Sequence, residues 1–344
     1  MAHKIPLPQS INYFWNFGSL IGMTYTIQLL SGVLLSLRYY AGTGTSSFNS
    51  VEIIAREVDS GFVVRGLHLV GSQMMMLLIY LHMGRSLYYG RGANLSMTLQ
   101  GTIILLITMG AAFLGYVLPW GQMSFWGATV ITGFLGVLPM GQDILEWVWG
   151  GYTVGHPTLT RFFSLHYLLG IFIAPLSLLH MLLLHQDGSG GPLGDRNDYY
   201  LPFWPYYGVK DLWPAGVLVS TMMIFTLFLM PETENLKNAN PMVTPTHIKP
   251  EWYFLMFYAI LRAVPSKVGG LLMMLLSILM LVALLLAGKN YSLSLTGTMM
   301  ASMFVTLCFI LGLLGGKPVE EPFLTSSLLL SLVYFGLATV MMLF

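Results

Sequence analysis

The chain has 344 residues, of which 56% are apolar and only 8% charged, with a formal net charge of +1 and one cysteine. Soluble domains carry roughly 25% charged residues, so this chain cannot clothe itself in a polar surface and belongs in a bilayer. Near-neutrality leaves no electrostatic footprint for nucleic acid, and a lone Cys308 inside an apolar run excludes a disulfide framework or a thiolate metal cluster.

In chain order, MAHKIPLPQSINYFWNFG lacks the continuous apolar core and small-residue cleavage site of a signal peptide. Apolar runs long enough to span follow near 17–37, 63–83, 99–118 and 162–184, then near 213–231, 269–287, 296–315 and 323–344. This predicts an all-α integral membrane protein with eight transmembrane helices. The segments between them, such as AGTGTSSFNSVEIIAREVDSG and PETENLKNANPMVTPTHIKPEWY, read as polar connectors rich in glycine and proline. A further stretch near 122–148 is broken by glycines, Pro139, Asp143 and Glu146, and reads as helices lying at the interface. Most tryptophans, among them Trp15, Trp120, Trp213 and Trp252, fall near helix ends, as an aromatic belt does.

The second and fourth spans carry the chemistry. His68 and His82 bracket one, His166 and His180 the other, fourteen positions apart in both. Fourteen helical residues advance about 21 Å and return to within about 40° of one face. The two spans run in the same direction, so His68 pairs in level with His166, and His82 with His180. A single membrane histidine is most simply a hydrogen-bonded packing residue, but packing does not predict a repeated spacing on parallel helices. Two imidazoles alone do not complete a transition-metal site. A haem brings four equatorial nitrogens and needs only two axial ligands, so two six-coordinate haems fit, suited to electron transfer. Gly18 and Gly32 in the first span repeat the interval of fourteen, as do Gly101 and Gly115 in the third. Close helix–helix contact explains such glycines; a macrocycle edge approaching the backbone at two heights explains the interval as well. Arg65, Arg85 and Arg161 stand at helix ends near the two levels, placed either to pair with propionates or to snorkel. The chain thus divides into a dihaem four-helix bundle with its following segments, residues 1–211, and a C-terminal four-helix region, 212–344.

These residues, with NFGSLIG (16–22), GYVLPWGQMSFWGATVIT (115–132), TLTRFFSLHYLL (158–169), HIKPEWYFL (247–255), YAILRAVPSK (258–267) and GGKPVEEPF (315–323), resemble mitochondrial-type cytochrome b nearly end to end. That family is the central subunit of ubiquinol–cytochrome c reductase, respiratory complex III. Plastid relatives are split into two chains and are less similar. The resemblance implies two haems b, the low-potential one on His68 and His166 and the high-potential one on His82 and His180. It also implies ubiquinone as substrate, a homodimeric complex in the mitochondrial inner membrane, and Rieske iron–sulfur, cytochrome c1 and accessory subunits as partners. By family topology the N-terminus faces the matrix, with Lys4, Arg85, Arg91, Arg196, Lys210 and Lys289. The remaining nine of the fifteen basic residues face outward, so the positive-inside rule does not support that orientation.

PEWY shares a face with His68 and His166. Glu251, framed by proline and aromatics, is poorly solvated, which raises a carboxyl pKa toward the range useful for proton transfer; pairing with Lys249 or Arg262 is the structural alternative. The resemblance implies that Glu251 accepts a quinol proton and Tyr258 positions the substrate, with Met109, Phe113, Trp126, Gly127, Ile131 and Pro250 lining the pocket. On the opposite face, His185, Asp187, Ser189, Lys210 and Asp211 come together near His82 and His180. There the resemblance assigns His185, Ser189 and Asp211 to quinone reduction. Gln186 stands where many relatives have glutamate, so a relay role there does not carry over. Together these imply a bifurcated cycle: one quinol electron leaves to an iron–sulfur partner, and the other crosses the membrane to reduce quinone on the far side. A proton-relaying transporter would instead call for inverted repeats around a midplane site. A dihaem anchor of a quinone-linked dehydrogenase would have fewer spans and no PEWY.

Overall fold

Within a bilayer every backbone amide must find its partner inside the protein, which long apolar runs achieve only as helices. A computed structural model describes residues 5–42, 44–90, 95–192, 199–228 and 231–344; Lys4, Arg91 and Arg196, expected on the matrix side, lie outside the described residues. The helices are α1 (Phe17–Ser36), α2 (Ser46–Arg56), α3 (Gly61–Tyr89), α4 (Leu95–Val117), α5 (Gln122–Gly133) and α6 (Gly141–Trp149). They continue with α7 (His156–Asp187), α8 (Gly208–Phe228), α9 (Leu255–Ala263), α10 (Lys267–Ala287), α11 (Leu295–Gly315) and α12 (Phe323–Leu343). Among the described residues, eight are long and apolar enough to cross a membrane: α1 with the turn before it, α3, α4, α7, α8 with its preceding turn, α10, α11 and α12.

All eight expected spans are present, and the segment near 122–148 forms α5 and α6, both too short to cross. Two connectors hold more structure than their composition suggested. Residues 46–56 form α2, which buries Ser47, Ser50 and Ile54 on one side, and the stretch after PEWY forms α9. A short antiparallel pairing, β1 (Pro6–Pro8) with β2 (Tyr200–Pro202), ties the N-terminal arm to the segment before α8.

Packing proceeds in antiparallel couples. In the bundle α1 lies on α3 and α4 on α7, while α8 leans on α3. Without a hydrophobic drive between helices in lipid, side-chain hydrogen bonds and close packing carry this association. Gln28 Nε2 donates to the His68 carbonyl at 2.9 Å, Gln100 Nε2 to the Leu176 carbonyl at 3.0 Å, and Tyr25 Oη to the Gly170 carbonyl at 2.7 Å. In the C-terminal region α9 is wedged among α10, α11 and α12. There Tyr334 Oη donates to the Ser277 carbonyl at 2.8 Å and Tyr291 Oη to that of Met341 at 2.7 Å.

The PWGQ turn joins these halves. Trp120, three residues past the end of α4, has a φ of 57°, and its carbonyl accepts from the Ala239 amide at 3.0 Å. Asn235 Oδ1 accepts from the Ser124 amide at 3.0 Å and its hydroxyl at 3.1 Å. Gln122 donates to the Val243 carbonyl at 3.0 Å and accepts from the Asn240 amide at 2.8 Å. A Cβ on Gly121 would stand 2.3 Å from Asn235 Oδ1, so only glycine permits the approach. The turn after α4 is thereby zipped to the segment that leads into PEWY.

Candidate functional site

The four histidines stand in two level pairs. The rings of His68 and His166 have centroids 6.2 Å apart with planes at 83°, and those of His82 and His180 are 6.4 Å apart at 66°. A metal between two imidazoles, each nitrogen about 2 Å from it, puts ring centres about 6 Å apart. At the first level the inner nitrogens are already engaged: His68 Nδ1 shares a hydrogen bond with Ser31 Oγ at 3.0 Å, and His166 Nδ1 meets the Ala111 carbonyl at 2.8 Å. Such contacts orient a ligating ring and leave Nε2 for the metal. At the second level Arg85 Nη2 lies 3.3 Å from His82 Nδ1, and the Met97 backbone borders His180.

Each of the four glycines faces one imidazole. A Cβ on Gly32 would lie 3.0 Å from His68 Cε1, on Gly18 3.6 Å from His82 Cε1, on Gly101 3.0 Å from His180 Cε1 and on Gly115 2.6 Å from His166 Cε1. The repeated interval thus follows from antiparallel couples in which one helix carries two rings and its neighbour two gaps. The His68–His166 level opens into a cavity of about 1760 Å³ that is continuous with solvent and also lined by Gly32, Gly115 and Arg65. No group of three or more His, Cys, Asp or Glu side chains among the described residues could hold a bare metal ion. Two imidazoles at each level, with a large apolar-walled cavity and Arg65 at the first, fit a tetrapyrrole that supplies its own equatorial nitrogens. At the second level, outside that cavity, Arg85 is the nearby cation; it stacks on Trp15 at 5.3 Å, and its Nε is buried without a partner among the described residues.

A second, open cavity of about 470 Å³ borders the first. Its lining brings together Phe113, Gly127, Ile131, Pro250, Glu251 and Tyr258 with Tyr116, Val130, Ile248, Lys249, Tyr253 and Phe254. The half-buried Glu251, with Tyr116 and Tyr253, lines both cavities and so forms part of the wall between them. Neither expected ion-pair partner takes it. Lys249 Nζ sits 3.6 Å from Glu232 Oε1, and the Arg262 guanidinium donates to the Lys317 carbonyl at 2.5 Å and to that of Leu314. Glu251 Oε2 accepts instead from Gln73 Nε2 at 3.0 Å. Burial holds the Glu251 carboxyl above the usual carboxylate range; the Gln73 bond opposes that shift and the neighbouring Glu232 adds to it.

Residues 2–188 match the family described as cytochrome b/b6/petB, and residues 238–335 match its C-terminal part, cytochrome b(C-terminal)/b6/petD. The chain belongs to the cytochrome b/b6 family. A solved structure described as "Hyperthermophilic respiratory Complex III" is similar over 98% of this chain and 93% of that one, with a TM-score of 0.91 and 27% identity. Membership confirms the expected class: a multi-pass, all-α membrane protein of a haem b-binding family.

Of the other expected site residues, Arg65 lines a cavity, whereas Arg161, Met109 and Trp126 do not line the cavities expected for them. Arg161 does not line the His68–His166 cavity: its guanidinium donates to the Trp147 and Val148 carbonyls, the latter at 3.2 Å. It caps the C-terminus of α6, where unsatisfied carbonyls attract a cation. Arg65 lines the cavity and lies 3.6 Å from Glu52 of α2, a partner the sequence reading did not foresee. Met109 packs in the cluster of Met75, Met76, Ile79 and Tyr253, outside the 470 Å³ cavity. Trp126 turns away from that cavity and donates to the Asn240 carbonyl at 3.3 Å.

On the opposite face His185 lies exposed in the last turn of α7 and Ser189 just beyond it. Asp211 Oδ1 accepts from Asn16 Nδ2 at 2.6 Å, and Asn16 also reaches the Lys210 carbonyl at 3.3 Å. Lys210 Nζ donates to the Ile11 carbonyl at 2.6 Å and stands over the Tyr13 ring at 5.0 Å. The sequence reading missed Asn16, although it opens the NFGSLIG motif. It missed Gln73 and Glu232 as well, because only the fold brings them to Glu251.

Proposed function

We propose that this chain oxidises quinol in the cavity beside Glu251 and reduces quinone near His185 and Asp211 on the opposite face, as the electron-transfer subunit of a ubiquinol–cytochrome c oxidoreductase. The observation that carries the reading is the position of Glu251. It lines both the smaller cavity and the cavity holding the His68–His166 level. Two haems b, one per histidine level, supply the path by which electrons cross the membrane. Every other role falls to side chains. Glu251, ionised, accepts a proton from the quinol hydroxyl. Tyr258, whose hydroxyl donates to the Ile248 carbonyl at 3.4 Å, lines the pocket and positions the substrate. Ser31 and the Ala111 carbonyl fix the imidazoles of His68 and His166, and Arg65 and Arg85 offer cations to propionates.

On the far side Asp211, held by Asn16, and His185 donate protons to the quinone being reduced, with Ser189 as a hydrogen-bonding group. Moving one charge across the membrane is worth about 2.3 kcal/mol per 100 mV, which links the reaction to proton-motive force. One cysteine and no CxxCH leave an iron–sulfur cluster and a c-type haem to partner subunits, which we take to be Rieske and cytochrome c1 proteins of a dimeric complex. Residues 1–211 hold the cofactors in this reading, and 212–344 complete the quinol pocket. The mitochondrial-type motifs support the mitochondrial inner membrane as its location. A quantitative pyridine haemochrome assay with redox titration of the purified complex tests the reading. Two b haems per chain titrating separately support it, and zero or one overturns the two-level account.

A further inference from the structure

Glu251 and Trp252 are adjacent in sequence, and both hang on one side chain of another helix. Gln73 lies on α3, five residues after His68. Its Nε2 donates to Glu251 Oε2 at 3.0 Å, and its Oε1 accepts from Trp252 Nε1 at 2.5 Å. The acceptor and one donor of the amide are thereby both committed. The indole bond decides which end of the amide faces the carboxylate, so Glu251 meets an N–H and not a carbonyl. Gln73 lines the larger cavity and not the quinol pocket. Its grip therefore draws the carboxylate toward the His68–His166 side of the wall.

We propose that Gln73 is a positioning residue for proton transfer: it holds the ionised Glu251 carboxylate against the wall of the histidine cavity, with Trp252 locking the amide. This inference rests on the reading of Glu251 as the quinol's proton acceptor. A donor aimed at a carboxylate favours its charged form, which is the form that accepts a proton. Burial and the nearby Glu232 work against that form, while Lys249 acts with the Gln73 bond to favour it. Gln73 therefore keeps Glu251 ionised at a pH where burial would otherwise hold it protonated. Once Glu251 takes the proton, the hydrogen bond loses its charge assistance and the carboxyl is released from the amide.

The test is quinol–cytochrome c reductase activity of the whole purified complex from pH 5 to 9, with a soluble short-chain quinol as donor, in Gln73→Met, Trp252→Phe and Glu251→Gln variants. Gln73→Met keeps the volume and removes both hydrogen bonds. Its acid limb is expected to move up by about one pH unit, with haem content and quinol KM unchanged. Trp252→Phe, which frees the amide while leaving it within reach of Glu251, moves the limb the same way by less. Adding Gln73→Met to Glu251→Gln produces no further change. If Glu251→Gln leaves rate and acid limb intact, the reading of Glu251 fails, and this inference with it. If Glu251→Gln abolishes the limb while Gln73→Met and Trp252→Phe leave it in place, or lower the rate equally at every pH, the positioning role is overturned and the reading of Glu251 stands.

Discussion

Alanine at the four bundle glycines tests whether they are there to clear the four imidazole rings. A methyl on Gly115 would sit 2.6 Å from His166 Cε1 and 3.0 Å from its Nδ1, whereas carbon atoms in contact settle at about 3.5–4.0 Å. The ring must retreat by about 1 Å. It is tethered to the Ala111 carbonyl at 2.8 Å, so retreat breaks that bond. Losing such an orienting partner typically costs about 10–100-fold in metal affinity. A methyl on Gly18 would meet His82 Cε1 at 3.6 Å, an ordinary contact. Gly32 and Gly101 fall between, both at 3.0 Å. We expect Gly115→Ala to lose the component assigned to the His68–His166 level. Gly32→Ala and Gly101→Ala should broaden or shift their components, and Gly18→Ala should leave both intact. Haem per chain and the redox titration of each component read this directly. Equal loss at all four positions would refute the ring-clearance argument and return the glycines to a macrocycle edge or to helix contact.

Three further outcomes follow from the same geometry. Because burial raises the Glu251 pKa, the ionised base is lost as pH falls through that raised value, so the acid limb of quinol oxidation should lie above about pH 4.3, the ordinary glutamate value; Glu251→Gln should lower the rate and remove the limb. Asn16→Ala removes the 2.6 Å donor to Asp211 and should slow quinone reduction, assayed as reoxidation of the second-level haem, while leaving quinol oxidation unchanged; equal slowing of both would refute the assignment. Arg161→Ala should retain both haems at wild-type stoichiometry, since its guanidinium serves the end of α6, and loss of either component would restore its propionate role.

Membrane spans, the two histidine levels and the PEWY acid were legible in the chain because each is a periodic or local signal. A run of about 20 apolar residues has one stable outcome in lipid, and fourteen helical positions always return to nearly one face. Helix α2 was hidden because SSFNSVEIIAR is polar enough to pass for a connector, and its few buried residues gain a partner only once α3 lies beside it. Arg161 was open to more than one reading because a basic residue at a helix end has two satisfactory fates, a carboxylate or a helix C-terminus, and sequence spacing does not rank them.

What the sequence by itself determined is therefore the class, the directions of the spans relative to one another and which rings share a level, all consequences of helix geometry along one chain. Tertiary structure alone decided which glycine faces which ring, that Glu251 stands in a wall between two cavities, and that Gln73, 178 positions away, is its hydrogen-bond partner. Those contacts join helices whose mutual rotation depends on packing across the whole bundle, and no local pattern in the chain encodes that rotation.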